Sequence, residues 1–204
     1  MKNIKKLVLI ITVVAMVSSV IALGALSYFS DTETSNGNTF TAARLDLTVD
    51  GQNGTNVQKF NVTRMTPGNQ PNSGWIVKNI GDISGYFGVS SVIVQNIEND
   101  LTEPEIQADD SSADVGELGD LVNIHLFLDN NKDGWISTGE EVFYNGKISD
   151  LPSSFDLDEV IAAGAETRIG AIINWWNNGD LDNKAQSDTA TIDITFRLTQ
   201  RADQ

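Results

Sequence analysis

The sequence predicts an all-β protein, a β-sandwich or jelly roll of about eight strands. Three observations carry that expectation. Apolar and polar residues alternate with a period of two in segment after segment. Clusters of Gly, Asn and Pro such as "DGQNG", "TPGNQPNSG", "NIGDISG" and "NNGDLDN" separate those segments. The 204 residues contain no cysteine, so the fold rests on a core rather than on disulfides, and a chain of this length can bury one.

The strands follow in order. In "FTAARLDLTV" Leu45, Leu47 and Val49 share one face. Candidates at 57–64, 73–79 and 84–94 come next. In "LVNIHLFLD" Val122, Ile124, Leu126 and Leu128 face one way. Segments 141–149 and 166–176 follow. "TIDITFRLTQ" sets Ile192, Ile194, Phe196 and Leu198 against Thr191, Asp193, Thr195 and Arg197. Such alternation marks strands buried on one face. Two stretches do not alternate cleanly. Residues 97–120 form a long acidic loop with room for a short helix or two. "FDLDEVIAAG", 155–164, reads as a short helix or an irregular strand.

The chain opens differently. Lys2, Lys5 and Lys6 precede an apolar run from Leu7 to Leu26, and Ala25 and Ser27 are small residues at the −3 and −1 positions of a cleavage site. This predicts a signal peptide, 1–27, cut by a signal peptidase between Ser27 and Tyr28. An uncleaved anchor is the alternative, because about twenty apolar residues span a bilayer. Either way the rest of the chain lies outside the cell. Removing the three lysines leaves 10 basic against 28 acidic residues, a net charge of about −18. That surface repels nucleic acid and anionic lipid, so neither is an expected partner. The single histidine, His125, reads as an ordinary strand residue. It leaves little for a catalytic triad or a multi-histidine zinc site. No catalytic or nucleotide-binding motif is present, and the sequence predicts no enzyme.

One motif carries chemistry. "DNNKDGWISTGEE" matches the calcium-loop pattern D-x-N-x-D-G-x-I-x-x-x-E over 129–140. Asp129, Asn131 and Asp133 supply oxygens at alternate positions, and Gly134 permits the sharp turn. The Trp135 carbonyl and Ser137 continue the set, and Glu140 closes it with two oxygens. Ile136 is expected to pin the loop to the core. Helices flank such a loop in an EF-hand, whereas strand-like alternation precedes this one. A structural Ca2+ site between strands is the expectation. Asp180, Asp182, Asn183 and Asp188 match no known cation loop and read as a polar turn. Asn53 and Asn61 head glycosylation sequons. Trp175 and Trp176, adjacent in a strand, predict one buried ring and one exposed ring.

The apolar leader followed by "YFSDTETSNGNTFTAARLDL" resembles the start of the TasA/camelysin family of biofilm matrix fibre proteins. The resemblance rests on Tyr28, Phe29, Asp31, Asn38, Thr39, Phe40, Ala42, Leu45, Asp46 and Leu47. Ala43 and Arg44 depart from it, standing where Gly and its neighbour are common. It continues through Pro67, Gly68, Asn79 and Gly81, and ends on Asn183, Ala185, Gln186, Asp188, Phe196 and Gln200. The calcium-type loop is closer to the archaeal bundling-pilus members. Camelysin-like relatives have been labelled metallopeptidases, but this chain has no H-E-x-x-H.

The resemblance implies a secreted jelly-roll subunit, 41–204, that polymerises head-to-tail with itself by donor-strand complementation into extracellular fibres or bundling pili. The donor segment is 28–40, led by Tyr28, Phe29, Ser30, Asp31, Thr32, Glu33 and Thr34, and neighbouring filaments are further partners in bundles. Physics agrees with the scheme. A sheet lacking a strand exposes unpaired N–H and C=O groups, and a neighbour's extended tail satisfies them. Such a contact is heterologous and propagates. The alternative is a monomeric, membrane-anchored, calcium-stabilised surface adhesin or carbohydrate-binding module.

Overall fold

The computed structural model describes residues 42–54, 57, 64–111 and 114–200, with the isolated positions 4, 11 and 12. The leader, its cleavage point Ser27–Tyr28, the donor segment 28–40 and Asn61 lie outside the described residues. The chain divides into two compact units, Met1–Ala42 and Ala43–Gln204. In the first, the described Ile4, Ile11 and Thr12 are helical.

The second unit is an all-β sandwich of two antiparallel sheets. Its strands are β1 (Leu47–Val49), β2 (Asn72–Asn79), β3 (Gly85–Ile97), β4 (Val122–Leu128), β5 (Val142–Lys147), β6 (Phe155–Ile161), β7 (Glu166–Trp175) and β8 (Thr189–Thr199). One sheet runs β1-β2-β7-β4-β5 and the other β6-β3-β8. A jelly roll has the orders β2-β7-β4-β5 and β1-β8-β3-β6. The described residues follow that plan with one difference: β1 pairs with β2 and not with β8.

The expected alternation is realised in β4. Val122, Ile124, Leu126 and Leu128 are all buried, and they join Trp75, Val77, Ile169, Ala171, Ile173 and Trp175 in a core shared with Phe87, Leu157 and Ile161 of the other sheet. The stretch 155–164 is strand β6 at its start, paired with β3 across a register shift at Phe87/Gly88. The acidic segment 97–120 contains two short helices, Glu103–Gln107 and Leu118–Leu121. Only Leu47–Val49 of the first predicted strand is paired.

Asn79 closes the turn between β2 and β3. It is fully buried, donates to the carbonyls of Ile83 (2.8 Å) and Ile161 (3.0 Å), and accepts from the Gly81 N–H (2.9 Å). A Cβ on Gly81 would lie 2.3 Å from the Arg44 carbonyl oxygen, because the chain before β1 docks here through Ile80 N–H to Asp46 O and Asp82 N–H to Arg44 O. A buried amide with all these partners fixes the turn and the entry of β1 together.

His125 lies on β4 opposite Ile172 and Asn145, and burial pushes its pKa below the ordinary 6.5. The unfolded chain therefore takes up this proton more readily than the folded one. The stability due to neutral His125 is present above the unfolded pKa and is lost as pH falls through it toward the folded value. Melting temperature is expected to drop between pH 7.5 and 5.5, and His125→Gln should flatten that step. An unchanged slope in the variant would assign the step to another group.

Candidate functional site

The loop 129–140 starts where β4 ends. Asp129 is fully buried. Its N–H donates to the Arg168 carbonyl on β7 (2.9 Å). Its Oδ2 accepts from the Gly134 N–H (2.9 Å) and forms an ion pair with the Arg168 guanidinium. Its Oδ1 is buried and accepts nothing. Gly134 has φ +84°, and a Cβ there would come within 3.2 Å of Asn72 Oδ1, so this turn requires glycine twice over.

The other expected ligand residues bond to one another or to the loop's backbone. Asn131 Nδ2 donates to Asp133 Oδ2 and to Ser137 Oγ, both at 3.0 Å. Asn131 Oδ1 accepts from the Asp133 N–H (3.0 Å), and Asp133 Oδ1 from the Trp135 N–H (2.7 Å). Glu140 returns over the loop, accepting from the N–H groups of Asn131 (3.3 Å) and Ser137 (2.9 Å). The Asn131 amide nitrogen thus sits between two oxygens. A half-turn of that amide would give up the bond from the Asp133 N–H but replace the donor with an acceptor, leaving an all-oxygen set, the chemistry of a hard cation. Ile136 does not pin the loop: it is 41% exposed, and Trp135 is 45% exposed. The loop is held to β7 by polar contacts instead, Asp129 to Arg168 and Lys132 to Glu166.

A second acidic grouping was not foreseen from the sequence. Glu98, Glu117 and Asp188 place one carboxylate oxygen each within 4.8 Å of the others, and among the described residues no other group of three or more His, Cys, Asp or Glu side chains meets that distance. The loop carboxylates Asp129, Asp133 and Glu140 do not. Burial, the Asp188 charge and the Glu105 charge raise the Glu98 pKa. Burial raises that of Asp188, against the N–H groups of Glu117 and Leu118 that bond its Oδ2. The four-residue grouping of Asp180, Asp182, Asn183 and Asp188 is not formed. Asp182 accepts from the Trp175 indole (2.8 Å) and from Asn178, Asn183 from Gln186, and Asp188 turns to the new cluster. The adjacent Trp pair divides as expected, Trp175 buried and Trp176 59% exposed.

A cavity of about 450 Å³ lies between β1 and β8, lined in part by Leu47, Val49, Trp75, Ile194 and Phe196. Ile192, Ile194, Phe196 and Leu198 pack against the core yet are only half-buried. Among the described residues, the outer edge of β8 pairs with no strand. Asn53 is exposed, and its amide donates to Asp46 Oδ1 (3.2 Å). No described helix is long and apolar enough to cross a membrane.

Fold and site define an acidic β-sandwich with clustered carboxylates and a half-covered edge. The chain belongs to the camelysin metallo-endopeptidase family, the TasA family, whose model matches residues 2–204. No curated protein matches it.

The Arg168 guanidinium is the counter-charge of a fully buried carboxylate. Arg168→Met is expected to lower stability by about 3–5 kcal/mol, as for a buried ion pair broken on one side. Urea unfolding in calcium-free buffer measures it, and a loss within about 0.5 kcal/mol of zero would remove the pair from the account of the loop.

Proposed function

We propose that this protein is the secreted structural subunit of an extracellular biofilm fibre or bundling pilus, assembled head-to-tail by donor-strand complementation. The observation that supports it most is β8: a long edge strand with a half-buried apolar face, at the place where a jelly roll puts its first strand. The occupant is residues 28–40 of a neighbouring copy. Eleven residues of β8 extend about 36 Å and the thirteen-residue tail about 43 Å, so the lengths match. In extended form Tyr28, Ser30, Thr32 and Thr34 share one face and Phe29, Asp31 and Glu33 the other. The uncharged face suits the groove, with Tyr28 as its anchor.

The family's description names a metallo-endopeptidase. The one histidine stands mid-strand on β4, and zinc peptidase sites draw on two or more histidines, which favours the structural reading over the enzymatic one.

Processed protein at high concentration is expected to form uniform filaments by negative-stain electron microscopy. Deletion of 28–36 should leave a folded monomer with unchanged circular dichroism and no filaments, and Ile194→Asp should do the same from the acceptor side. A synthetic 28–40 peptide should bind the deleted monomer. Filaments from the deletion variant would overturn the scheme. Failure of the peptide to bind would remove 28–40 as the groove's occupant.

Calcium in the 129–140 loop is part of the same proposal. The buried Asp129 Oδ1 without a donor and the oxygen side chains gathered beside it fit the ion. Asp129, Asn131, Asp133, Ser137, Glu140 and the Trp135 carbonyl would hold it, and it would offset their charge. For a Kd near ~1 mM, as in extracellular modules, 10 mM calcium adds about 1.4 kcal/mol, or roughly 3–6 °C in a domain of this size. Asp129→Ala with Glu140→Ala should lower the melting temperature and shrink that shift. The same shift in the double variant would remove the loop as its source.

A further inference from the structure

Three carboxylates meet where the acidic segment returns to the sandwich, and a fourth, Glu105, lies near them. Glu98 follows β3, Glu105 lies in the helix Glu103–Gln107, Glu117 precedes the helix Leu118–Leu121, and Asp188 precedes β8. Oxygens of Glu98, Glu117 and Asp188 lie within 4.8 Å of one another, about twice a calcium–oxygen bond of ~2.4 Å. Three oxygens at that limit lie about 2.8 Å from a common centre, so an inward shift of a few tenths of an ångström by each brings all three to bonding distance of one ion. Both Glu98 oxygens and Asp188 Oδ1 are buried, and no donor meets them at full hydrogen-bond geometry, although Glu98 and Asp188 approach each other and the Asp100 N–H faces Glu98.

Glu105 is an independent pointer to a ligand. Its side chain is fully buried. One oxygen accepts from the Thr102 N–H (2.5 Å), and the other is buried with nothing to accept. It lies close enough for its charge to raise the Glu98 pKa. No described ion pair reaches Glu98, Glu105 or Asp188, in contrast to Asp129 with its arginine. Buried charges are paired or coordinate metals, and these have no described base. A Cβ on Gly116 would lie 2.8 Å from both Asp188 Cγ and the Ile97 carbonyl oxygen. The strands beside the cluster are already tied, Asn99 Nδ2 to Ser187 O (2.5 Å) and Ser187 Oγ to Asp100 O (2.9 Å).

We propose that Glu98, Glu117 and Asp188, backed by the buried Glu105, form a second divalent-cation site, of the calcium class, that clasps the acidic segment 98–121 to the junction of β3 and β8. All-carboxylate oxygen ligands select a hard cation over zinc or copper. The clasp stands apart from the filament reading and from the 129–140 loop.

The test uses the full processed chain carrying Asp129→Ala and Glu140→Ala, so that the loop is silent. Calorimetric titration with calcium, magnesium present as competitor, should still show one bound ion per chain. Adding Glu98→Gln and Asp188→Asn, which keep side-chain shape, should abolish it. The same pair in the unmodified chain should remove one of two ions. If the loop reading fails, the unmodified chain binds one ion that the loop substitutions spare and the cluster substitutions remove. Calcium should also slow hydrogen exchange of amides in 98–121 at least ~10-fold in the loop-silent chain, which needs no change at the cluster. No bound ion in the loop-silent chain, an ion that survives both cluster substitutions, or exchange in 98–121 indifferent to calcium would each overturn the site.

Discussion

Burial of β7 on both faces is the constraint on which the rest of the molecule depends. The strand pairs with β2 along one side and β4 along the other, and Ile169 through Trp175 are all buried. Room for this is made at Gly170, where a Cβ would lie 2.3 Å from the Phe127 ring. A strand so enclosed is a rigid frame, and its polar residues become fixed points. Near its start Arg168 holds Asp129, and with it the loop 129–140. At its end the Trp175 indole holds Asp182 and the turn Gly179–Ala185, and that turn sets the chain on course for Asp188 and β8. These two fixed points, Arg168 and Trp175, lie about 23 Å apart along the strand.

Much of this was legible in the sequence because a strand buried on one face writes its environment as alternation. β4 and β8 show it plainly. β6 was ambiguous because Asp158 and Glu159 are adjacent charges, and they fall close to the register shift where the strict period breaks. The turn at 129–140 was legible because the contacts among its oxygen side chains are local, set by one turn. Ile136 misled for a physical reason: in a helix-flanked loop that position faces an apolar partner, and here β4 and β5 flank it, so polar contacts to β7 hold the loop. The Glu98 cluster was invisible because its members are separated by up to 90 positions (98 to 188) and meet only through tertiary pairing of β3 with β8. The density of acid in 97–120 and the singled-out Asp188 were the available signals, and no local spacing connects them.

Charge divides the two sites. The chain carries 28 acidic against 13 basic residues, so most carboxylates cannot find a base. Exposed ones have no need of one, because water screens them. Buried ones do. Asp129 has Arg168. Glu98, Glu105 and Asp188 have no such partner; burial first pushes Glu98 and Asp188 toward the protonated form, with the Asp188 and Glu105 charges adding to it at Glu98 and the Glu117 charge at Asp188. Such a grouping is stable only with a shared proton or a cation, and the two alternatives compete for the same oxygens.

The edges of the sandwich differ in the same physical sense. β6 closes one side of the smaller sheet with three carboxylates in seven residues, Asp156, Asp158 and Glu159, and a register shift against β3. Charge and irregularity blunt an edge against strand addition. β8 closes the other side with Thr189, Thr191 and Thr195 on its outward face and Asp193 as the one acid among its eleven residues. Its pairing with β3 runs nearly the full length, with one register shift at Val89/Ser91 and an unbroken ladder from Ser91 to Ile97. Threonine suits a paired strand, and the groove beneath offers Ile194 and Phe196 to an incoming side chain. Within one small sheet, then, one edge carries the charges that refuse a strand, and the other carries the residues that the proposed fibre assembly would use to receive one. A head-to-tail polymer needs that asymmetry, since two receptive edges would branch or close on themselves and two refusing ones would leave the chain a monomer.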